Sequence, residues 1–324
     1  MKEYDVLCVG IATMDTIVEG VHKDSFIMDS SVMKDIQMYP GGDALNAAIH
    51  FSRLGLSCCL CACMGNDLYQ EVLSDLLKKE GVDIQYLISK NGAHTSSPII
   101  LVDVDGERHV LRPSNSANHF LLESDISDEA IKRSKHLHFA SANGLKGLKG
   151  KDLARLFSRA KEYGLSTSMD ATYDVNVKGI EEIEETLNYM DIFIPSLEEA
   201  ICFSGKKEIE EIVSFFHQYP LKIFGIKLGK EGLYITDFKE SYHLDSLYEE
   251  EVVDTTGAGD AFYAGFIAAY LKGYDIKSSA YLGLAQSASV LRGLGATSLA
   301  FYEQDAKEFI KEKGITLTKM NPLL

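Results

Sequence analysis

The chain has 324 residues, 46% hydrophobic and 25% charged, which is the composition of a globular protein and excludes a collagen-like or disordered one. Its 32 basic and 48 acidic side chains leave a net charge of −16, so it repels nucleic acid, and any anion site needs backbone N–H groups, a lysine or a metal. The longest uncharged apolar run, Ala261–Leu271, is too short for a bilayer, and Met1-Lys2-Glu3-Tyr4-Asp5 is acidic where a secretory leader needs a basic start; a cytoplasmic protein with no membrane or nucleic-acid partner is expected.

Tyr4–Gly10 is a β-branched apolar run ending in glycine, the pattern of a buried first strand. Thr13–Val21 and Val32–Met38 read as further strands. Gly42–Leu54 reads as a helix, with Ala44, Leu45, Ala47, Ala48, Phe51 and Leu54 at helical spacing and Gly55 as its stop. Ser57–Met64 reads as one strand and holds four of the six cysteines, with Cys59, Cys61 and Cys63 on one face. With no second cluster to complete four ligands, they read as small core hydrophobes rather than as metal ligands or a redox pair. Asp67–Glu80 is an amphipathic helix. Ser97–Val104 and Arg108–Leu111 are strands joined by the hairpin signal Asp105-Gly106.

From about Ser134 strands and helices alternate. The strands are His136–Ala140, Leu165–Asp170, Ile192–Ile194 and Leu221–Leu228; the helices between them are Lys151–Tyr163, Ile180–Leu187, Leu197–Phe203 and Lys207–His217. That rhythm implies a mostly parallel sheet covered on both faces. Gly232–Thr236 and the stretch through Val253 read as antiparallel edge strands, and Ala258–Lys272, Ile276–Arg292 and Gln304–Lys313 as closing helices. One large α/β domain over residues 1–324 is expected. A small β-sheet lid from about 13–38 and 97–112 would project over a cleft at the carboxyl ends of the strands.

The strongest chemical signal is Asp254-Thr255-Thr256-Gly257-Ala258-Gly259-Asp260, between a strand-like run and a helix. Gly257 and Gly259 let backbone approach a ligand closely. The first N–H groups of the helix are unpaired and favour negative charge, so the segment forms an anion cradle. Asp260, in the first turn, is placed to take a proton from a hydroxyl attacking phosphorus. The dinucleotide fingerprint lacks its third glycine and no P-loop occurs; Gly144–Lys151 has the wrong spacing and reads as a solvated loop. A second constellation, Pro40-Gly41-Gly42-Asp43-Ala44-Leu45-Asn46 together with Asp15, offers the carboxylate, amide and bare N–H groups that a polyol needs.

Together these segments resemble the signatures of the PfkB carbohydrate kinase family, also called ribokinase-like, over essentially the whole chain. Gly10 to Asp15 is similar to the family's first-strand exit, Gly41-Gly42 and Asn46 to its di-glycine motif, and Asp254 to Asp260 to its Asp-Thr-x-Gly-Ala-Gly-Asp motif. The resemblance implies a three-layer α/β sandwich with a mostly parallel central sheet and a small β-sheet lid. It also implies ATP-dependent phosphorylation of a sugar hydroxyl, with Asp260 as base and Gly257, Ala258 and Gly259 as anion hole. Asp15, Gly41, Gly42 and Asn46 would hold the substrate, with Asn143 as a further contact. Lys227-Leu228-Gly229-Lys230-Glu231-Gly232 is similar to the family's nucleotide-side turn. There Gly229 and Gly232 would pass the phosphates, with Lys227 and Thr256 nearby and the lysine side chains at the surface. Pro195-Ser196-Leu197-Glu198-Glu199 matches the family's Asn-x-x-Glu motif with Ser196 in place of Asn. Glu199 would support Mg²⁺ through water, and the shorter Ser196 hydroxyl predicts a lowered Mg²⁺ affinity. Moving a phosphoryl group in so acidic a protein also calls for Mg²⁺ on physical grounds. Some members of the family use K⁺ near the anion hole, and that stays open here.

Asp170-Ala171-Thr172-Tyr173-Asp174 lacks the Arg of the pattern found in kinases of acid sugars, and Arg112 reads as an exposed strand-end arginine rather than as an anion reader. The expected acceptor is a neutral sugar, ribose- or fructose-like; the alternatives are a nucleoside kinase on the same fold and a non-catalytic sugar or nucleotide sensor. Unpaired lid edges predict a homodimer.

Overall fold

The computed structural model describes residues 2–104, 108–142, 144–171 and 179–320. The expected turn at Asp105-Gly106, the candidate Asn143 and Thr172-Tyr173-Asp174 lie outside the described residues. In chain order the strands are β1 (Tyr4–Gly10), β2 (Thr13–Val21), β3 (Asp35–Gly41), β4 (Cys58–Cys61), β5 (Cys63–Gly65), β6 (Ile88–Lys90), β7 (Ile99–Asp103) and β8 (Arg108–Leu111). They continue with β9 (Ser134–Ala142), β10 (Ser166–Ala171), β11 (Ile192–Phe193), β12 (Ile223–Lys227), β13 (Leu233–Thr236) and β14 (Ser241–Leu244).

The large sheet has eight strands in the order β14-β13-β12-β11-β10-β9-β1-β4. Every pair from β4 to β12 is parallel, and β13 and β14 close one edge antiparallel. Alternate side chains feed two cores. Val6, Cys8, Cys58 and Leu60 pack toward the helices Asp43–Arg53, Ala258–Leu271 and Ile276–Val290. Leu7, Val9, Cys59 and Cys61 pack toward Gly150–Glu162, Leu197–Ser204 and Ile209–Phe216. Burial on both faces explains why the central strands read as continuous apolar runs.

The small sheet has the order β3-β2-β7-β8, with β2 and β7 parallel. β2 follows β1 after Gly10, so this sheet grows directly from the carboxyl edge of the large one. Its register pairs Thr13 with Gly41 and Asp15 with Tyr39.

Three expectations shift. The strand predicted over Ser57–Met64 breaks at Ala62: β1 pairing ends at Val9–Cys61, and Cys63–Gly65 leaves to pair with β6. Cys59, Cys61 and Cys63 nevertheless share one core. The strand predicted over Val32–Met38 lies at Asp35–Gly41, because pairing with β2 rather than apolar content sets its ends; Val32 is 97% exposed. The helix predicted over Ile180–Leu187 is regular only over Glu184–Leu187. Strand β6 and the short helix Asp128–Lys132 were not legible as elements.

Candidate active site

The carboxyl ends of β1, β10 and β12 surround the start of the helix Ala258–Leu271. Gly257 caps that helix in the left-handed region (φ 75°), and a Cβ there would lie 2.3 Å from Ala296 Cβ. Only glycine fits both demands. Asp254 fixes the loop from both sides: Thr256 N donates to Oδ1 at 2.7 Å and Gly295 N to Oδ2 at 3.1 Å.

Asp260 is buried in the first turn, and Asn46 Nδ2 donates to its Oδ2 at 2.9 Å. Burial, then the neighbouring carboxylates of Asp43 and Asp170, hold its pKa well above the ordinary carboxylate range, against the opposing pull of Asn46 and Lys227. A carboxylate so placed is a stronger base than a solvated one.

The di-glycine segment joins this centre. Asp15 accepts a hydrogen bond from Thr13 Oγ1 at 2.5 Å. Its carboxylate lies so close to Gly41 that a Cβ there would fall 2.1 Å from Oδ2. Burial chiefly, with help from Asp43 and against Thr13 and Arg112, pushes the Asp15 pKa up to about 6. Gly42 caps the helix Asp43–Arg53, which carries Asn46 one turn in. Asn46 Oδ1 is buried and has no hydrogen-bond partner among the described residues.

On the other side of Asp260 a cavity of about 770 Å³ opens between β12 and the last helices. Ser196, Lys227, Gly229, Gly232, Ala258 and Gly259 line it, and Val252, Leu284 and Leu291 give it apolar wall. Thr255 also lines the cavity, and the neighbouring Thr256 N–H donates to Asp254. One expectation changes here. Lys227 is half-buried rather than fully solvated: its Nζ sits 2.9 Å from Asp170 Oδ1 and 5.1 Å above the Tyr263 ring. Burial disfavours its charge, but Asp170, Glu199 and Asp260 outweigh that, and its pKa is raised.

Ser196 and Glu199 form a reciprocal cap on the helix Leu197–Ser204. Ser196 Oγ accepts from Glu199 N at 3.2 Å, and Glu199 Oε2 accepts from Ser196 N at 2.8 Å. Burial raises the Glu199 pKa, with Asp170 adding and Lys227 opposing. Among the described residues no group of three or more His, Cys, Asp or Glu is placed to hold a metal directly. The carboxylate of Glu199 is a hard oxygen donor that suits Mg²⁺ held through water, whereas Asp170 is engaged by Lys227.

Sequence reasoning missed Asp43, which accepts from Ser141 Oγ at 3.1 Å, and Asp170. It missed Tyr263, whose hydroxyl accepts from Ile194 N and donates to Met169 O, both at 2.6 Å. It missed Asn118, whose amide pairs with both backbone groups of Ala12 at 3.2 and 3.1 Å. Asp43 lay inside the di-glycine motif and Asp170 at a strand's carboxyl end, and both positions were signals.

This geometry, an aspartate at a glycine-capped helix start between a polar recess and a cavity, is that of a phosphoryl-transfer enzyme. Residues 4–301 match the family described as pfkB family carbohydrate kinase. The chain is 30% identical over 300 residues to the ATP-dependent 6-phosphofructokinase of Thermoanaerobacterium thermosaccharolyticum, covering 91% of this chain and 90% of that one. It is 26% identical over 326 residues to a nucleoside kinase of Methanothermobacter thermautotrophicus, covering 97% and 98%. A putative ribokinase II of E. coli, solved in complex with ATP and Mg²⁺, superposes with a TM-score of 0.82 at 22% identity, covering 95% of this chain and 99% of that one. The Arabidopsis thaliana ribokinase solved with ribose and ATP superposes with a TM-score of 0.80 at 20% identity, with the same coverage. The chain belongs to the pfkB family of carbohydrate kinases, and its fold is ribokinase-like. No helix among the described residues is long and apolar enough to cross a membrane.

Proposed function

We propose that this protein transfers the γ-phosphoryl group of ATP to a hydroxyl of a small neutral sugar, with the whole chain working as one kinase unit and the small sheet as its lid. The observation that carries this reading is the position of Asp260. It is hydrogen-bonded to Asn46 on the di-glycine side, while its neighbour Gly259 lines the large cavity.

The acceptor hydroxyl would donate to Asp260, whose raised pKa suits it to receive that proton as the oxygen attacks phosphorus. The N–H groups of Gly257, Ala258 and Gly259 would stabilise charge on the moving phosphoryl. Asp15 and Asn46 would hold the acceptor's other hydroxyls and turn the reacting one toward Asp260. Gly229 and Gly232 would let the backbone approach the nucleotide, whose base would rest against the apolar wall at Leu284 and Leu291. Mg²⁺ would supply neutralisation of the charge that develops on the moving phosphoryl group. Glu199 would hold it through water.

A nucleoside acceptor is the second reading, favoured by the 26% identity to a nucleoside kinase. A non-catalytic sensor is disfavoured by the intact Asp260, Gly257 and Gly259. Exposed Ile36, Met38, Val110 and Leu111 on the small sheet support association of two copies through it; a purely monomeric sedimentation profile contradicts that.

The test is ATP consumption with Mg²⁺ against neutral sugars, acid sugars, sugar phosphates and nucleosides. Turnover on a neutral sugar is expected. Turnover confined to another class overturns the acceptor assignment, and none on any class, with ATP still bound, overturns the kinase reading in favour of the sensor.

A further inference from the structure

The ion pair between Lys227 and Asp170 has no part in the scheme above beyond its charge. Buried ion pairs contribute little net stability, because removing two charges from water offsets their attraction. The place of this pair points to another use. A Cβ on Gly259 would lie 3.3 Å from Lys227 Nζ and 3.4 Å from Asp170 Oδ2, so the pair rests against bare backbone in the anion cradle, one residue before Asp260. Lys227 also lines the cavity. Its Nζ is held by Asp170 Oδ1 at 2.9 Å. Ser196, bridged to Lys227 between neighbouring strand ends, has its oxygen engaged with the Glu199 N–H and brings no charge. Lys230, the other lysine on the cavity wall, is exposed. The ion-paired cation at the reacting end of the cavity is therefore Lys227.

We propose that Lys227 is a phosphate-binding residue, stored on Asp170 and exchanged onto the terminal phosphate of the bound nucleotide. The ammonium gives up a charge-assisted hydrogen bond to Asp170 Oδ1 and makes one to a phosphate oxygen, with no change in protonation. Asp170 acts through Lys227 as a positioning residue: it holds the ammonium against Gly259 and gives way to an acceptor of higher charge. This inference rests on the kinase reading, since it needs a nucleoside triphosphate in the cavity.

The test is calorimetric binding of ATP, ADP and AMP to the wild type, Lys227→Met, Asp170→Asn and the double variant. Lys227→Met is expected to weaken ATP roughly ten- to hundredfold, the range for hydrogen bonds to charged groups, and AMP less than about threefold. Asp170→Asn is expected to bind ATP as tightly as the wild type or tighter, and the double variant to behave like Lys227→Met. Lys227→Met leaves a buried carboxylate unpaired; should it fail to fold, the double variant, with neither charge, carries the same comparison. ATP binding unchanged in Lys227→Met or in the double variant overturns the proposal. So does a result in which both single variants weaken ATP and AMP alike and the double variant recovers, the signature of a purely structural pair. A wild type that binds no ATP overturns the kinase reading itself, which separates the two failures.

Discussion

The two sides of Asp260 are built differently. The nucleotide side is roomy, about 770 Å³, and presents glycine backbone and apolar wall. The acceptor side is close-packed: the Asp15 carboxylate lies against Gly41 with no space for a methyl group, and Asn46 is bonded to Asp260 itself. Backbone and space suit a ligand that many enzymes share, whereas side chains at fixed distances suit discrimination between hydroxyl patterns. Changes on the first side should alter phosphoryl transfer whatever the acceptor, and changes on the second should alter acceptor affinity and leave nucleotide binding alone.

The largest separation is expected from Gly257→Val. Its Cβ would strike Ala296, and the backbone there favours glycine. Distorting the anion cradle should lower kcat by roughly a hundredfold or more for every acceptor, read from initial rates at saturating sugar. Gly41→Ala comes next. Its methyl would lie 2.1 Å from Asp15 Oδ2 and must displace that carboxylate. An acceptor KM raised by about tenfold, with ATP affinity unchanged, sharpens the comparison; a loss of ATP affinity breaks it.

Asp15 gives a pH test. Burial raises its folded pKa to about 6, so the folded protein binds this proton more tightly than the unfolded chain, whose Asp titrates near 4. Its contribution to stability is therefore fully present below about pH 4 and lost as the pH rises through 6. Asp15→Asn should raise the melting temperature by a few degrees at pH 7.5 and little at pH 4.5, while weakening the acceptor. In the wild type, acceptor KM should rise as the pH falls through 6, and a flat profile contradicts the assignment. The smallest effect is expected from Ser196→Asn. Asn preserves the helix cap and reaches farther, so the Mg²⁺ concentration for half-maximal rate should fall a few-fold. No change would show that Ser196 acts only as the cap.

The same contrast explains what was legible in the sequence. The nucleotide side rests on contiguous backbone: Asp254 to Asp260 and Lys227 to Gly232 read as motifs because glycine has no substitute where a Cβ on Gly257 would strike Ala296 and one on Gly232 would strike Leu244 O. The parallel sheet was legible because strands buried on both faces are apolar throughout. On the acceptor side Gly41 to Asn46 also read as one motif, whereas Thr13, Asp15 and Ser141 reach it only through the pairing of β2 with β3 and through helix packing. Lys227 was misjudged because a lysine at a strand end is ordinarily solvated; burial against Asp170 becomes visible only once β10 and β12 are placed on either side of β11.

The central claim is that Asp260 takes the proton from the acceptor and is not merely a helix-capping charge. The most direct test is the rate of ATP-dependent phosphorylation of the best acceptor by wild type and Asp260→Asn, with ATP and acceptor affinities measured on both. A fall in kcat of about 10²–10⁴-fold with both affinities within a few-fold of wild type is the predicted result. A kcat that stays within a few-fold of wild type contradicts it.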